Sequence, residues 1–202
     1  KVDEQGVPTG TEVIEYDVTH QMVEEFMLLA NEAVAKKLAK EGKSLTYRIH
    51  EEPSKDNMRD FASLVNALGF TVSDEPTPEE IQKVFFEARK SKHDLLGHLA
   101  TSYIRSMRLA SYSVDNVGHY GLSLEFYCHF TSPIRRYVDL IAHRLLFEES
   151  YTREEIEAIA DHASERERYA SKAENSVLSL KKLRYLEQIL DKDRFFTFDA
   201  IC

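Results

Sequence analysis

The sequence predicts an α+β fold, predominantly helical with short antiparallel strands. Apolar residues recur at helical spacing in several long stretches. Two capping boxes mark helix starts, at Thr77-Pro-Glu-Glu80 and Thr152-Arg-Glu-Glu155. Short runs near residues 45–50 and 110–126 read as strands bounded by glycine, proline or asparagine.

The predicted elements follow one another without a clear linker. Gly42 and Gly69 end the first two helices, because glycine suits the position after a helix. The span 152–190 has neither glycine nor proline, so it is one long helix or two helices with a kink. Helices are expected near 19–40, 56–68, 77–90, 93–108, 132–147 and 152–190, a strand at 45–50, and a β-hairpin from 110–114 and 120–126.

Composition narrows the class of protein. The 202 residues are 43% hydrophobic and 30% charged, which is typical of a globular protein. A net charge of −9 argues against a broad basic surface for nucleic acid. The two cysteines form neither a disulfide framework nor a CxxC metal motif, so a cytoplasmic location is expected. No stretch has the length of a membrane span, and no membrane partner is expected.

The segment 131–139 is the strongest functional signal. Ser132 is a good N-cap residue and Pro133 suits the first position of a helix. Arg135 and Arg136 then stand where acidic residues usually answer the helix dipole, at a cost of about 0.3–1 kcal/mol each. Free N–H groups and two guanidinium groups would together bind a phosphate. In the alternative, Arg135 pairs with Asp139 and Arg136 is solvated.

Local charge supports a confined anion site. Residues 105–146 contain five arginines and no lysine against three carboxylates, which gives +2 in a chain of −9. A narrow slot for nucleic acid therefore fits better than an open basic face.

A long stretch, His119 to Arg144, resembles the signature of the ribonuclease II/ribonuclease R family in its RNB catalytic domain. The stretches 23–34, 47–50 and 164–175 resemble other parts of the same domain, and the residues of the signature are closer to those of the ribonuclease R branch. The resemblance implies that residues 1–194 are the C-terminal half of an RNB domain, in an excised fragment of a longer protein. Residues 195–202 would then begin an OB-type RNA-binding barrel.

The resemblance implies a hydrolytic exoribonuclease that degrades single-stranded RNA from its 3′ end to nucleoside monophosphates, with Mg²⁺. The family's metal-binding aspartates belong to the earlier half of the domain, so no metal ligand is expected here and the fragment should be inactive. Its partners would be single-stranded RNA, the rest of the RNB domain and flanking OB-type domains. A catalytically silent RNA-binding module is the alternative.

Site residues are carried over by matching positions. Arg135 and Glu174 match catalytic residues: the arginine would hold the scissile phosphate, and a buried Glu174 would assist proton transfer or metal release. In the alternative, Glu174 is a solvated helix residue. The other expected contacts are Thr131 and Ser132 to phosphate oxygens, Arg136 to a phosphate or a neighbouring carboxylate, and His119 and Tyr120 to a base or ribose. His129 fits a satisfied core histidine better than a ligand.

Overall fold

The computed structural model describes residues 1–12, 16–91, 96–192, 194–195 and 197. These residues confirm a mostly helical α+β architecture. The elements are α1 (Val18–Lys40), β1 (Tyr47–Ile49), α2 (Lys55–Ala67), α3 (Pro78–Lys90), α4 (Leu96–Ser106), β2 (Ser111–Ser113), a 3-10 turn (Tyr120–Leu122), α5 (Tyr137–Leu146) and α6 (Arg153–Lys192). Most of residues 195–202, expected to begin an OB-type barrel, and residues 93–95 of the helix expected near 93–108 lie outside the described residues.

Helix starts follow the predicted capping chemistry. The Thr77 hydroxyl accepts the Glu80 N–H, and the Glu80 carboxylate accepts the Thr77 N–H. Thr152 and Glu155 exchange the same pair of bonds before α6. Each pair satisfies N–H groups that a helix start leaves without partners. The span after Thr152 is a single 40-residue helix, which settles the alternative left open by the sequence.

The two strands form a small antiparallel sheet in which β1 has neighbours on both sides. Tyr47 pairs with Ser113 of β2 and also forms an isolated bridge with Cys128. The Arg48 N–H donates to the Tyr127 carbonyl at 2.9 Å. The first run of the predicted hairpin, 110–114, therefore pairs with β1 through β2. The other neighbours of β1 are Tyr127 and Cys128, which follow the second predicted run, and the two runs do not pair with each other.

The predicted hairpin is wrong because residues 118–124 close into a compact loop. Gly118 has a φ of +79° and Ser123 a φ of +54°, both in the left-handed region. The His119 N–H donates to the Leu124 carbonyl at 2.8 Å, across the short 3-10 turn. A left-handed residue interrupts the regular pleat, so this run cannot continue as a strand.

Contacts divide the chain into two units. The first comprises Lys1–Ala30 and Asp161–Cys202, and the second comprises Asn31–Ala160. In the second unit, one core lies between β1 and parts of three helices, and another lies among α2, α3 and α4. The first core includes Leu38, Leu45, Cys128, Ile141, Leu145 and Ile156; the second includes Phe61, Val65, Ile81, Val84 and Leu99.

The outer part of α1 carries large apolar side chains that remain exposed. Met22, Phe26 and Leu29 are each more than half exposed, whereas Ala35 and Leu38 at the other end are fully buried. The apolar side chains of this helix are therefore covered only at its C-terminal end by described residues. No helix among the described residues combines the length and apolar character needed to cross a bilayer.

Candidate functional site

The helix predicted to start at Ser132 starts at Tyr137, with Arg136 as its N-cap residue. Ser132 is not the cap, because residues 133–136 lie outside the helix. The Ser132 carbonyl accepts the N–H groups of Arg135 and Arg136 at 3.2 and 3.1 Å, ahead of the helix. Residues 132–135 thus form a tight turn, which we call the Ser132 turn. Proline favours the second position of such a turn as much as the first position of a helix, so Pro133 fits both structures.

This later start removes the arginines from the first helical turn. Asp139 now occupies that turn, where a carboxylate interacts favourably with the helix dipole. Its Oδ1 also accepts the Ser132 N–H at 2.7 Å, as the third residue of a capping box reaches back to the chain before the helix. Ile134 is 96% exposed because it belongs to the turn and not to the helix.

The two arginines have different environments. Arg136 was expected to contact a phosphate or a neighbouring carboxylate. Its Nη2 lies 2.8 Å from Asp139 Oδ1, so Asp139 is that neighbouring carboxylate. Arg135, which the alternative paired with Asp139, is exposed at the end of the Ser132 turn. No carboxylate of the described residues forms an ion pair with Arg135. Arg135 is therefore accessible to a ligand.

Buried polar groups fix the backbone before the turn. The Asn31 side chain, from α1, accepts the Phe130 N–H at 2.9 Å and donates to the Tyr127 hydroxyl at 3.0 Å. His143 Nε2 donates to the Phe130 carbonyl at 3.0 Å, and its ring stacks on Phe130 at 4.1 Å between centroids. Thr131 and Ser132 thus follow a segment held from two helices.

His129 is a satisfied histidine beside this segment. Its Nδ1 lies 2.8 Å from the Tyr112 hydroxyl, and the Arg48 guanidinium lies over the Tyr112 ring at 4.7 Å. Burial lowers the pKa of His129 to about 3, with further lowering by Arg136, Arg48, His119 and Arg135. Three of the four side chains that act electrostatically on this histidine are therefore arginines. This local positive field supports the predicted confined anion site.

His119 and Tyr120 lie in a neighbouring part of the second unit. Burial, followed by His50 and Arg48, lowers the pKa of His119 to about 4. The His119 ring contacts the His50 ring edge-on at 5.1 Å, and His50 Nδ1 accepts the Gly121 N–H at 3.1 Å. An open cavity of about 650 Å³ adjoins them, lined in part by His50, Tyr103, Asn116, His119, Tyr120 and Glu125.

Glu174 lies on α6 in the first unit and is exposed. The buried carboxylate expected from the sequence is therefore not seen in this chain. Its exposure fits the alternative of a solvated helix residue. The described residues contain no cluster of three or more His, Cys, Asp or Glu side chains arranged for a metal ion.

Sequence reasoning missed the residues that position the turn. The sequence indicates Asp139 only as a partner of Arg135, and it predicts no contact of Asn31 or His143 with this loop. Asn31 is 97 residues from Cys128, whose Sγ donates to the Asn31 carbonyl at 3.5 Å. The one usable signal was the place of Asn31 near the apolar face of α1, where a buried amide needs partners.

The chain belongs to the RNB family, since the RNB domain model matches residues 1–150. Among its curated relatives is Ribonuclease R of Chlamydia muridarum, 44% identical over 174 residues, with 86% of this chain and 25% of the relative covered. Ribonuclease R of Aquifex aeolicus is 39% identical over 197 residues, with 92% of this chain and 28% of the relative covered. The chain thus spans about a quarter of these relatives.

Solved structures agree with the family. Mycoplasma genitalium RNase R in complex with double-stranded RNA matches with a TM-score of 0.86 and 29% identity, over 99% of this chain and 37% of that one. Yeast Ssd1, a pseudonuclease, matches with a TM-score of 0.59 and 24% identity, over 71% of this chain and 19% of that one. At that identity the second likeness shows the fold alone. The resemblance stated from the sequence is confirmed.

Proposed function

We propose that this chain is part of a longer hydrolytic 3′→5′ exoribonuclease that degrades single-stranded RNA to nucleoside monophosphates. Within that enzyme, this chain positions the RNA phosphates. The observation that carries the proposal is the exposed Arg135, on a turn whose backbone is fixed by buried groups. Relatives named Ribonuclease R, and Mycoplasma genitalium RNase R in complex with ribose methylated single-stranded RNA, support the substrate class.

Arg135 acts on the scissile phosphate in this proposal. Its guanidinium can donate two parallel hydrogen bonds to phosphate oxygens and offset the charge that develops during attack by water. The Ser132 N–H already donates to Asp139 Oδ1, so Ser132 would contact a phosphate through its hydroxyl. Thr131 would also contact a phosphate through its hydroxyl. Binding at this site therefore depends on side chains more than on helix N–H groups.

His119 and Tyr120 contact a base or ribose of the RNA in the same proposal. Both line the cavity of about 650 Å³, and both rings are half-buried. A neutral histidine has one donor and one acceptor nitrogen, and a tyrosine ring adds a stacking surface. We assign Glu174 the second catalytic role, as a carboxylate for proton transfer.

Mg²⁺ would be held outside the described residues. In those residues we find no carboxylate cluster that fits it, so we derive no step of the reaction through the metal. The proposal places the aspartate ligands in another part of the longer protein, together with OB-type domains that guide RNA. It places the enzyme in the cytoplasm.

The experiment is degradation of 5′-labelled single-stranded RNA with Mg²⁺, by this chain and by the full-length protein. We expect 3′→5′ shortening with the full-length protein and none with this chain. RNA binding without degradation by the full-length protein would instead indicate a catalytically silent RNA-binding module. Degradation by this chain alone would overturn the proposed division of the active site.

A further inference from the structure

We infer that Asp139 is a positioning residue that holds the Ser132 turn and engages Arg136, so that Arg136 is its counter-ion and not a phosphate ligand. Of the two adjacent arginines, Arg135 then carries the contact with RNA. This inference rests on the proposed function, because it assigns roles within the same site.

Burial requires Asp139 to be paired. Its side chain is 0% exposed and that of Arg136 is 20% exposed. A buried carboxylate is stable only where donors replace its lost hydration. Two donors reach Oδ1, the Ser132 N–H at 2.7 Å and Arg136 Nη2 at 2.8 Å. Both distances are typical of charge-assisted hydrogen bonds.

The same geometry limits what Arg136 can bind. Its Nε is shielded from solvent and has no hydrogen-bond partner among the described residues. A phosphate cannot reach this atom unless the pair with Asp139 opens, which would leave a buried carboxylate without its cation. Asp139 Oδ2 is similarly buried and unpartnered within the described chain. Opening the pair is therefore costly, whereas Arg135 is already exposed.

The Asp139 carboxylate also connects this pair to the catalytic arginine. It anchors the first residue of the Ser132 turn, and Arg135 is the last residue of that turn. A shift of about 1 Å in a positioned group can slow a reaction by about 100-fold. We therefore expect Asp139→Asn, which keeps an acceptor for Ser132 but loses the charge, to lower kcat by about 10- to 100-fold. RNA affinity should change little.

Salt dependence distinguishes a phosphate ligand from a positioning group. Each phosphate contact to single-stranded RNA contributes about 0.7 to the slope of log K against log salt. In the full-length protein, with a single-stranded RNA oligonucleotide, Arg135→Gln should reduce this slope by about that amount. Arg136→Gln should leave the slope unchanged and lower kcat. The control is Arg153→Gln, which removes an exposed arginine paired with Asp115 and should change neither quantity.

A double variant tests whether the pair acts as one unit. If Asp139 and Arg136 act together, Asp139→Asn with Arg136→Gln should lower kcat no further than the more damaging single variant. Independent, multiplying losses would overturn the inference. A general loss of folding would instead appear in the thermal unfolding of each variant and would lower affinity and kcat together.

The slopes also separate this inference from the proposed function. If Arg136→Gln lowers the slope as much as Arg135→Gln does, Arg136 is a phosphate ligand and the inference fails. If neither variant alters the slope although the protein binds RNA, the phosphate site at the Ser132 turn fails instead. Should Asp139→Asn not fold, the slope of Arg136→Gln still decides.

Discussion

Replacing Gly121 with alanine should destabilise the loop that presents His119 and Tyr120. An added Cβ would lie 2.7 Å from His50 Nδ1 and 3.1 Å from His50 Cε1. Carbon atoms do not normally approach that closely, so a group must move. His50 is only 9% exposed and has the rings of His119 and Tyr120 against its ring, so movement of the ring is restricted.

The magnitude follows from three contributions. Overpacking costs about 1–3 kcal/mol. Loss of the hydrogen bond from the Gly121 N–H to His50 Nδ1 costs about 0.5–1.5 kcal/mol. Restriction of the unfolded chain by alanine offsets about 0.4–1 kcal/mol. The free energy of unfolding should therefore fall by about 0.5–4 kcal/mol.

Urea unfolding followed by tyrosine fluorescence measures this change, since the chain has ten tyrosines and no tryptophan. The matched control is Gly97→Ala on α4, where an added Cβ meets nothing within 4 Å. That variant should gain about 0.5–1 kcal/mol, because alanine favours a helix more than glycine does. Equal stability of Gly121→Ala and wild type, with the control behaving as expected, would refute the reasoning.

Three further predictions concern stability and pH. Leu145→Ala should lower the free energy of unfolding by about 2–5 kcal/mol, since this side chain is 1% exposed in the core. Ile134→Ala, at a side chain 96% exposed in the Ser132 turn, should change it by less than about 0.5 kcal/mol, and a large loss in urea unfolding would contradict the turn. Stability should fall as pH drops below about 6.5, because the unfolded chain then binds protons that His129 (pKa about 3) and His119 (pKa about 4) do not take up when folded. His129→Gln should flatten the decline of the urea midpoint between pH 6.5 and 5, and an unchanged decline would show that His129 does not cause it.

Helices could be predicted from the sequence where capping residues and helix breakers determine their ends. The capping boxes predicted at Thr77 and Thr152 form in the structure. The span without glycine or proline forms the single helix α6. The strand at Tyr47–Ile49 was also predictable, but its partners were not. Which segments flank β1 depends on contacts 66 and 81 residues away, those of Tyr47 with Ser113 and with Cys128. No local pattern contains that information.

The candidate site shows the same division. The sequence predicts a helix that starts at Ser132, and the two arginines stand out because they would lie in its first turn. That start is wrong: the helix begins at Tyr137, and Asp139 is the acidic residue of its first turn. Proline favours both a helix start and a β-turn, so sequence alone could not separate them. The family resemblance still indicates Arg135 as a catalytic residue, and Arg135 is exposed in the structure. Glu174 lies in the other unit, and its catalytic role remains a prediction.

The most direct test of the proposed role is single-turnover cleavage of single-stranded RNA by the full-length protein carrying Arg135→Ala. Removing a group that stabilises charge in the transition state should slow cleavage by about 100- to 1,000-fold at saturating RNA. Binding should weaken far less than cleavage slows. Cleavage at a rate near wild type would contradict the role of Arg135 and the phosphate site at the Ser132 turn.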